Sequence, residues 1–382
     1  AQGAYADIWN AVAYPPGVTS AAQGEIDLDG DGLGDGGYQG TWARGVLLLR
    51  NVSQPGSIRF EDATTSAFFD EEGQPQIVFG PTAPIHVHSV VPADIDNDGD
   101  LDLFVSGPRN FTTHSDPGVE LDIVRLYRND SVPGQMTFSE ITRSAGMDFA
   151  NSEAGLRSHP LTRDTYPIVL ALGDPLVFFP SLSAGCALDV DNDGDVDFVH
   201  IDRQLFDRNP LTQEPLGLTL WLWQNDGSGR LTLVAPETHG LVHTARDLSY
   251  GDLDNDGRVD LVTVNGSGGG QNVDDGNFVF LNRIRNQNHY VKIDVTRPGS
   301  RLGLGTKVTV CESKSGGCAG GGRRLGYDEV RTDFSYRSKR STTLHFGVGR
   351  ADRVDVKLEA PGGQTAVFTG LDVDRTHHLV LK

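Results

Sequence analysis

The chain holds 382 residues, 37% of them apolar and 22% charged. That suffices for a packed core, argues against wholesale disorder, and fits two domains or one large repeat domain with a smaller companion. Against 32 basic side chains stand 52 acidic ones, a formal charge of −20 that repels nucleic acid and anionic lipid; no apolar run approaches the length of a membrane-spanning helix.

Read from its start, the chain opens on Ala1-Gln2-Gly3, which fits an end left by signal cleavage. A mature, secreted, extracellular chain is therefore expected. The first strong pattern is EIDLDGDGLGD from Glu25. It returns as ADIDNDGDLDLFVSG from Ala93, ALDVDNDGDVDFVHI from Ala187 and YGDLDNDGRVDLVTV from Tyr250. Downstream of each lies an apolar run ending in Asn: Asn51, Asn129, Asn225 and Asn282. After the first three comes a Gly-containing turn and another apolar stretch, which predicts a β-hairpin. The unit reads as loop, strand, variable loop, strand, hairpin, strand, with starts 63 to 95 residues apart and almost no helical periodicity.

A β-sheet repeat of this length predicts an all-β chain with a β-propeller over residues 1–285. Four blades are clear, and residues 148–180 are long enough for a fifth. At 286 the composition turns: residues 286–382 carry 16 basic and 10 acidic side chains, whereas 1–285 carry 16 and 42. This swing marks a domain boundary, and the tail reads as a small antiparallel β domain with strands YVKIDV, TKVTV, STTLHFGV, RVDVKLE and HHLVLK.

Each acidic loop fits Asp-x-Asp-x-Asp-Gly-x-x-Asp. The aspartates at positions one, three, five and nine are Asp27, Asp29, Asp31 and Asp35; Asp94, Asp96, Asp98 and Asp102; Asp189, Asp191, Asp193 and Asp197; and Asp252, Asp254, Asp256 and Asp260. Such crowding is repulsive without a cation. Ca²⁺ accepts roughly six to eight oxygens with loose geometry, which suits short carboxylates and carbonyls. Gly at position six permits the sharp turn, and position seven is expected to offer its backbone carbonyl from Leu33, Asp100, Asp195 and Arg258. Mg²⁺ demands a stricter octahedron, and zinc or copper would want His or Cys in the loops. An EF-hand needs an acid at position twelve and flanking helices, whereas that position is Tyr38, Val105, His200 and Thr263. About four structural Ca²⁺ ions are expected. Loop one is the odd member, because Gly34 replaces the Leu or Val of the others and predicts a weak exit strand.

The loops with their apolar-Asn segments resemble FG-GAP/VCBS-type repeats, the calcium-loop repeats of integrin-α-like propellers. Asn288-His289, Gly303-Leu304-Gly305-Thr306, Leu344-His345-Phe346-Gly347-Val348-Gly349 and Arg353-Val354-Asp355 make the tail resemble the ASPIC/UnbV domain. The combination resembles the cartilage acidic protein family of secreted proteins. The resemblance implies an extracellular calcium-binding propeller with roles in adhesion or matrix, and carries over the loop aspartates as ligands.

Other features are weaker. Cys311 and Cys318 flank a short loop and are placed to form a disulfide across a hairpin tip; Cys186 is read as a small buried residue. His86 and His88, and His377 with His378, read as strand histidines. Arg323, Arg324, Arg331, Arg337, Lys339 and Arg340 form a basic cluster that suits an acidic glycan, the acidic propeller or plain solvent. Trp221 and Trp223 suit blade packing or a sugar-stacking platform. Sequons occur at Asn51, Asn110, Asn129 and Asn265. The expectation is a non-enzymatic adhesion or recognition module that holds a glycan or an extracellular protein on variable loops such as 107–121, 203–217 and 265–276. The alternatives are a self-associating structural subunit of an extracellular assembly and a propeller-based enzyme, either a polysaccharide lyase or a natural-product biosynthesis protein.

Overall fold

The computed structural model describes residues 22–26, 28–31, 35–39, 46–78, 87, 89–106, 124–148, 181–203, 220–241, 247–264, 277–332 and 340–382. Loops 107–121 and 265–276, most of 203–217, His86, His88, Asn110, Asn265, Arg337 and Lys339 lie outside them.

Four sheets follow one another along the chain. The first runs β1 (Ala22–Ile26), β2 (Asp35–Gln39), β3 (Val46–Asn51) and β4 (Phe60–Asp62) in simple order. A one-turn helix α1 (Thr64–Ala67) leads to β5 (Phe68–Phe69). β5 joins β6 (Ser89–Ala93), β7 (Asp102–Ser106), β8 (Val124–Asn129) and β9 (Phe138–Glu140) in the order β5-β9-β8-β7-β6. The third sheet is β10 (Ser181–Leu188), β11 (Asp197–Arg203), β12 (Trp221–Asn225) and β13 (Leu231–Leu233). After α2 (Pro236–His239) comes the fourth: β14 (Asp247–Gly251), β15 (Asp260–Val264) and β16 (Phe278–Phe280).

The sheets bury both faces against one another, which is why their strands read as continuous apolar runs rather than alternating ones. Val46 and Leu48 of the first sheet pack with Leu103, Tyr127 and Phe138 of the second. Phe104 of the second stacks on Phe198 of the third at 4.6 Å between ring centroids. Val199 and Leu222 of the third pack with Leu248 and Leu261 of the fourth. Trp221 and Trp223 lie in the core between sheets two and three, 3% and 1% exposed, so they pack sheet against sheet and do not form a sugar platform.

The hairpins close as their sequences predict. Pro55-Gly56 and Pro133-Gly134 make tight turns with φ of 81° and 85° at the glycines, and Gln54 and Val132 donate to the carbonyls of Ser57 and Gln135. Two readings need correction. The unit includes a strand ahead of each loop, so the loop is the turn inside a strand pair rather than its beginning. The exit strand of loop one forms as β2 despite Gly34, because it pairs along its length with the apolar β3. Residues 149–180 lie outside the described region, and the sheets on either side of them touch directly.

Residues beyond 285 build two further sheets over their own core. β17 (His289–Thr296), β20 (Leu344–Gly349) and β23 (Arg375–Val380) form one, in the order β20-β17-β23. β18 (Lys307–Glu312), β19 (Arg324–Glu329), β21 (Arg353–Glu359) and β22 (Thr365–Asp372) form the other, in the order β19-β18-β21-β22. Val291, Ile293 and Val295 alternate inward and meet Val308, Val310, Val354 and Val356. The tail is not purely antiparallel, since β23 runs parallel to β17, Val291 facing Arg375 and Thr296 facing Val380. Cys311 and Cys318 are disulfide-bonded and Cys186 is a buried thiol. Among the described residues no helix is long and apolar enough to cross a membrane.

Candidate metal centre

Ladder pairing creates the loop. Ala93 faces Asp102, Leu188 faces Asp197 and Gly251 faces Asp260. Position nine therefore opens the second strand directly opposite the residue before position one, and the chain between must curl back. Asn at position four takes the left-handed conformation that Asn tolerates, with φ of 61°, 60° and 60° at Asn97, Asn192 and Asn255. Gly at position six follows, with φ of 96°, 102° and 87° at Gly99, Gly194 and Gly257.

The curl aims main-chain N–H groups at carboxylates in the same way each time. Position one accepts from positions five and six: Asp98 and Gly99 donate to Asp94, Asp193 and Gly194 to Asp189, and Asp256 and Gly257 to Asp252, over 2.8 to 3.2 Å. Position nine is a clamp. One oxygen of Asp102, Asp197 and Asp260 accepts from position two of its own loop, and the other from the N–H of Asn129, Asn225 and Asn282.

Positions one, three and nine converge. Oxygens of Asp94, Asp96 and Asp102 lie within 4.8 Å of one another, as do those of Asp189, Asp191 and Asp197, and those of Asp252, Asp254 and Asp260. The position-five carboxylates Asp98, Asp193 and Asp256 are outside these triads and instead accept from the N–H of position seven. In loop one, Asp27 and Leu33 lie outside the described residues and Asp35 is described as backbone in β2, while Asp29 and Asp31 face Arg50 at 2.9 and 3.7 Å.

Bringing acids together in a dry place raises their affinity for protons. Burial, reinforced by the charge of Asp98, pushes the Asp94 carboxyl up to about 8 and Asp100 up to about 7. Burial with the charge of Asp191 pushes Asp193 up to about 6, and burial lifts Asp102, Asp189 and Asp197 well above the ordinary carboxylate range. In loops two and three burial and like charge thus outweigh the opposing guanidinium charges of Arg324 at Asp94, Arg128 at Asp96 and Arg323 at Asp195. The donors of both loops are oxygen alone, the set a hard divalent cation takes.

The Asn that ends each third strand had no role assigned from sequence, although its recurrence was visible. It crosses to the preceding sheet. Asn129 Nδ2 donates to Leu28 and Leu101, Asn225 Nδ2 to Ile95 and Val196, and Asn282 Nδ2 to Val190 and Val259, all carbonyls. Position four wires the loops forward: Asn97 Nδ2 donates to Asp195 Oδ1 at 2.8 Å and Asn192 Nδ2 to the Gly257 carbonyl at 3.0 Å. Asn129 is 2% exposed and fully engaged, so its sequon has no room for a glycan.

The tail sits on this ridge. Arg324 donates to the Asn97 carbonyl, Arg331 to Pro92, and the Gly349 N–H to Asn192. Part of the basic cluster is thereby spoken for. Arg331 and Arg340 also pair with Asp328, where burial alone would raise the carboxyl and the two guanidinium charges outweigh it. His377 bonds the Asp372 carbonyl and His378 the Asp294 carboxylate. A cavity of about 60 Å³ between loops two and three and the tail is lined by Asp94, Asp189, Tyr250, Arg331 and His345, which leaves room for a few waters.

Residues 189–263, from the first aspartate of loop three to β15, match the FG-GAP-like repeat. Residues 296–382 match ASPIC and UnbV. No curated protein matches the chain. Among solved structures it is similar to a chain of a cryo-EM structure of RAG in complex with one melted and one unmelted RSS, at 8% identity and a TM-score of 0.32 over 94% of this chain and 85% of that one. The chain thus joins an FG-GAP-like repeat region to an ASPIC/UnbV domain.

Proposed function

We propose that this is an extracellular, calcium-braced recognition or adhesion module, in which the four sheets serve as blades of a propeller and Ca²⁺ fills the acidic loops. The observation that carries the reading is the threefold recurrence of one carboxylate triad on one hydrogen-bonded loop. The FG-GAP-like match over loops three and four and the disulfide in the tail support it. The ions' role is structural, because the loops tie two strands of a sheet, and loops two and three each bond the loop that follows. The module is non-enzymatic, and its ligand is a glycan or an extracellular protein. A glycan array and a pull-down from extracellular matrix, each run with calcium and with chelator, test this. Calcium-dependent capture supports the reading, and the absence of any ligand in both counts against it.

Assembly through self-association is favoured by one observation. Leu253, Val279, Leu281 and Ile284, on and beside the fourth sheet, are all exposed apolar side chains. Analytical ultracentrifugation over a concentration series distinguishes a subunit from a monomeric binder.

A further inference from the structure

The acidic loops are not equivalent, and the difference lies in who supplies the positive charge. Loops two and three carry aspartate at all five odd positions, 94 to 102 and 189 to 197. The guanidinium charges of Arg324, Arg128 and Arg323 act on Asp94, Asp96 and Asp195 from a distance, with Arg324 bonded to the Asn97 carbonyl, whereas in loop four the cations make direct ion pairs with the carboxylates. Loop four has one carboxylate fewer, because position seven is Arg258. Its guanidinium folds back onto Asp256. Arg283, just past β16, reaches Asp254 at 3.2 Å and Asp256 at 3.5 Å. Lys292 on β17 places Nζ 2.8 Å from Oδ2 of Asp252, the position-one ligand, with the lysine side chain 15% exposed and the aspartate 1%.

The lysine is held there by the tail. Tyr290, two residues earlier on the same face of β17, lies against Gly257 so closely that a Cβ on that glycine would fall 2.0 Å from the ring. His345 on the neighbouring strand stacks on Tyr290 at 5.5 Å between ring centroids and bonds the Gly257 carbonyl through Nε2 at 3.1 Å. Lys292 Nζ lies 5.7 Å from the centre of the Tyr290 ring. A buried ammonium against a buried carboxylate in a packed frame is costly to separate.

We propose that loop four is neutralised from within, with Lys292 as a tethered cation in place of the divalent ion, so that this loop anchors the tail domain while loops two and three take calcium. The inference rests on the calcium reading and refines it: the repeat pattern alone would fill every loop.

The test is calcium per chain, measured on the full chain by elemental mass spectrometry after dialysis against millimolar calcium, with circular dichroism to confirm folding. Asp96→Ala and Asp191→Ala should each lose one ion. Asp254→Ala should lose none. The triple variant Arg258→Leu, Arg283→Leu, Lys292→Met should gain one. A loss of one ion in Asp254→Ala, equal to the loss in Asp96→Ala, overturns the inference and leaves the calcium reading standing. A wild-type chain that binds no calcium overturns both. Should a single variant fail to fold, Asp96→Asn and Asp254→Asn give the same comparison through their calcium-binding isotherms: a weakened site in the first, an unchanged isotherm in the second.

Discussion

The side-chain amide of Asn225, at the end of β12, donates to the carbonyl of Ile95 in loop two at 2.8 Å, and so ties the third sheet to the loop of the second. The same amide holds Val196 in its own loop at 3.1 Å. One buried side chain thus satisfies carbonyls in two successive loops. Asn225→Ala leaves both carbonyls without that donor, which costs about 1–3 kcal/mol. A urea titration should show the loss, with and without calcium alike, because the bond is not to the ion. A loss confined to calcium-loaded protein would place Asn225 among the metal-holding residues.

Asp191→Ala separates ion capture from folding. A site held at roughly a hundred times its dissociation constant adds about 2.7 kcal/mol. The variant should melt several degrees below wild type in millimolar calcium and close to it in excess chelator. Equal losses in both conditions would make Asp191 an ordinary structural residue.

The tail should depend on the smallness of Gly347. A Cβ there would lie 1.9 Å from Oδ2 of Asp189 and 2.4 Å from Cα of Asn192. Both belong to loop three, whose backbone is fixed by the position-one and position-nine hydrogen bonds, so neither can move cheaply. Gly347→Ala should destabilise by about 1–3 kcal/mol or more and loosen the tail from the loops. Limited proteolysis near residue 286 is the readout, and unchanged cleavage would deny the contact its importance.

The pH response of calcium-depleted protein follows from the raised carboxyls. Asp94 and Asp100, at about 8 and about 7, keep protons in the fold that the unfolded chain has already released. The native state binds more protons over that window, so stability falls as pH rises from the ordinary carboxylate range through about 8. Buried His200 and His345 act in the opposite sense. Burial holds them at about 3 and about 4, so the unfolded chain takes up protons first and stability falls as pH drops below about 6.5. The raised carboxyls, which include Asp102, Asp189, Asp193 and Asp197 as well, outnumber the two histidines. The melting temperature should therefore fall as pH rises from about 4 to about 8, the histidines only moderating the slope below about 6.5, with calcium abolishing the alkaline decline. A rise from neutral to alkaline pH in the absence of calcium would contradict this assignment.

Much of this arrangement could be read from residue order. The nine-residue spacing is local, so the turn at Asn97 and Gly99, the convergence of Asp94 with Asp102, and the opening of β7 at position nine all follow from a short stretch of chain. The apolar runs that became β3, β8 and β12 announce themselves because both faces are covered. What escaped is long-range. Asn129, Asn225 and Asn282 act across 101, 130 and 92 residues, and nothing in their spacing names the carbonyl each will find. β19 and β22 were missed for a different reason. The first mixes Arg, Gly, Asp and Glu, and the second is half exposed, so neither shows the apolar signature of a core strand. The charge of Lys292 was visible, but its partner was not, since Asp252 lies 40 residues earlier, in the fourth acidic loop rather than in the tail.

The most direct measurement is the metal content of purified protein, paired with its melting temperature before and after dialysis against EGTA. Calcium bound to the chain and a melting temperature several degrees lower after chelation are the predicted results. Protein free of any alkaline-earth ion, melting at the same temperature in both states, would contradict the account.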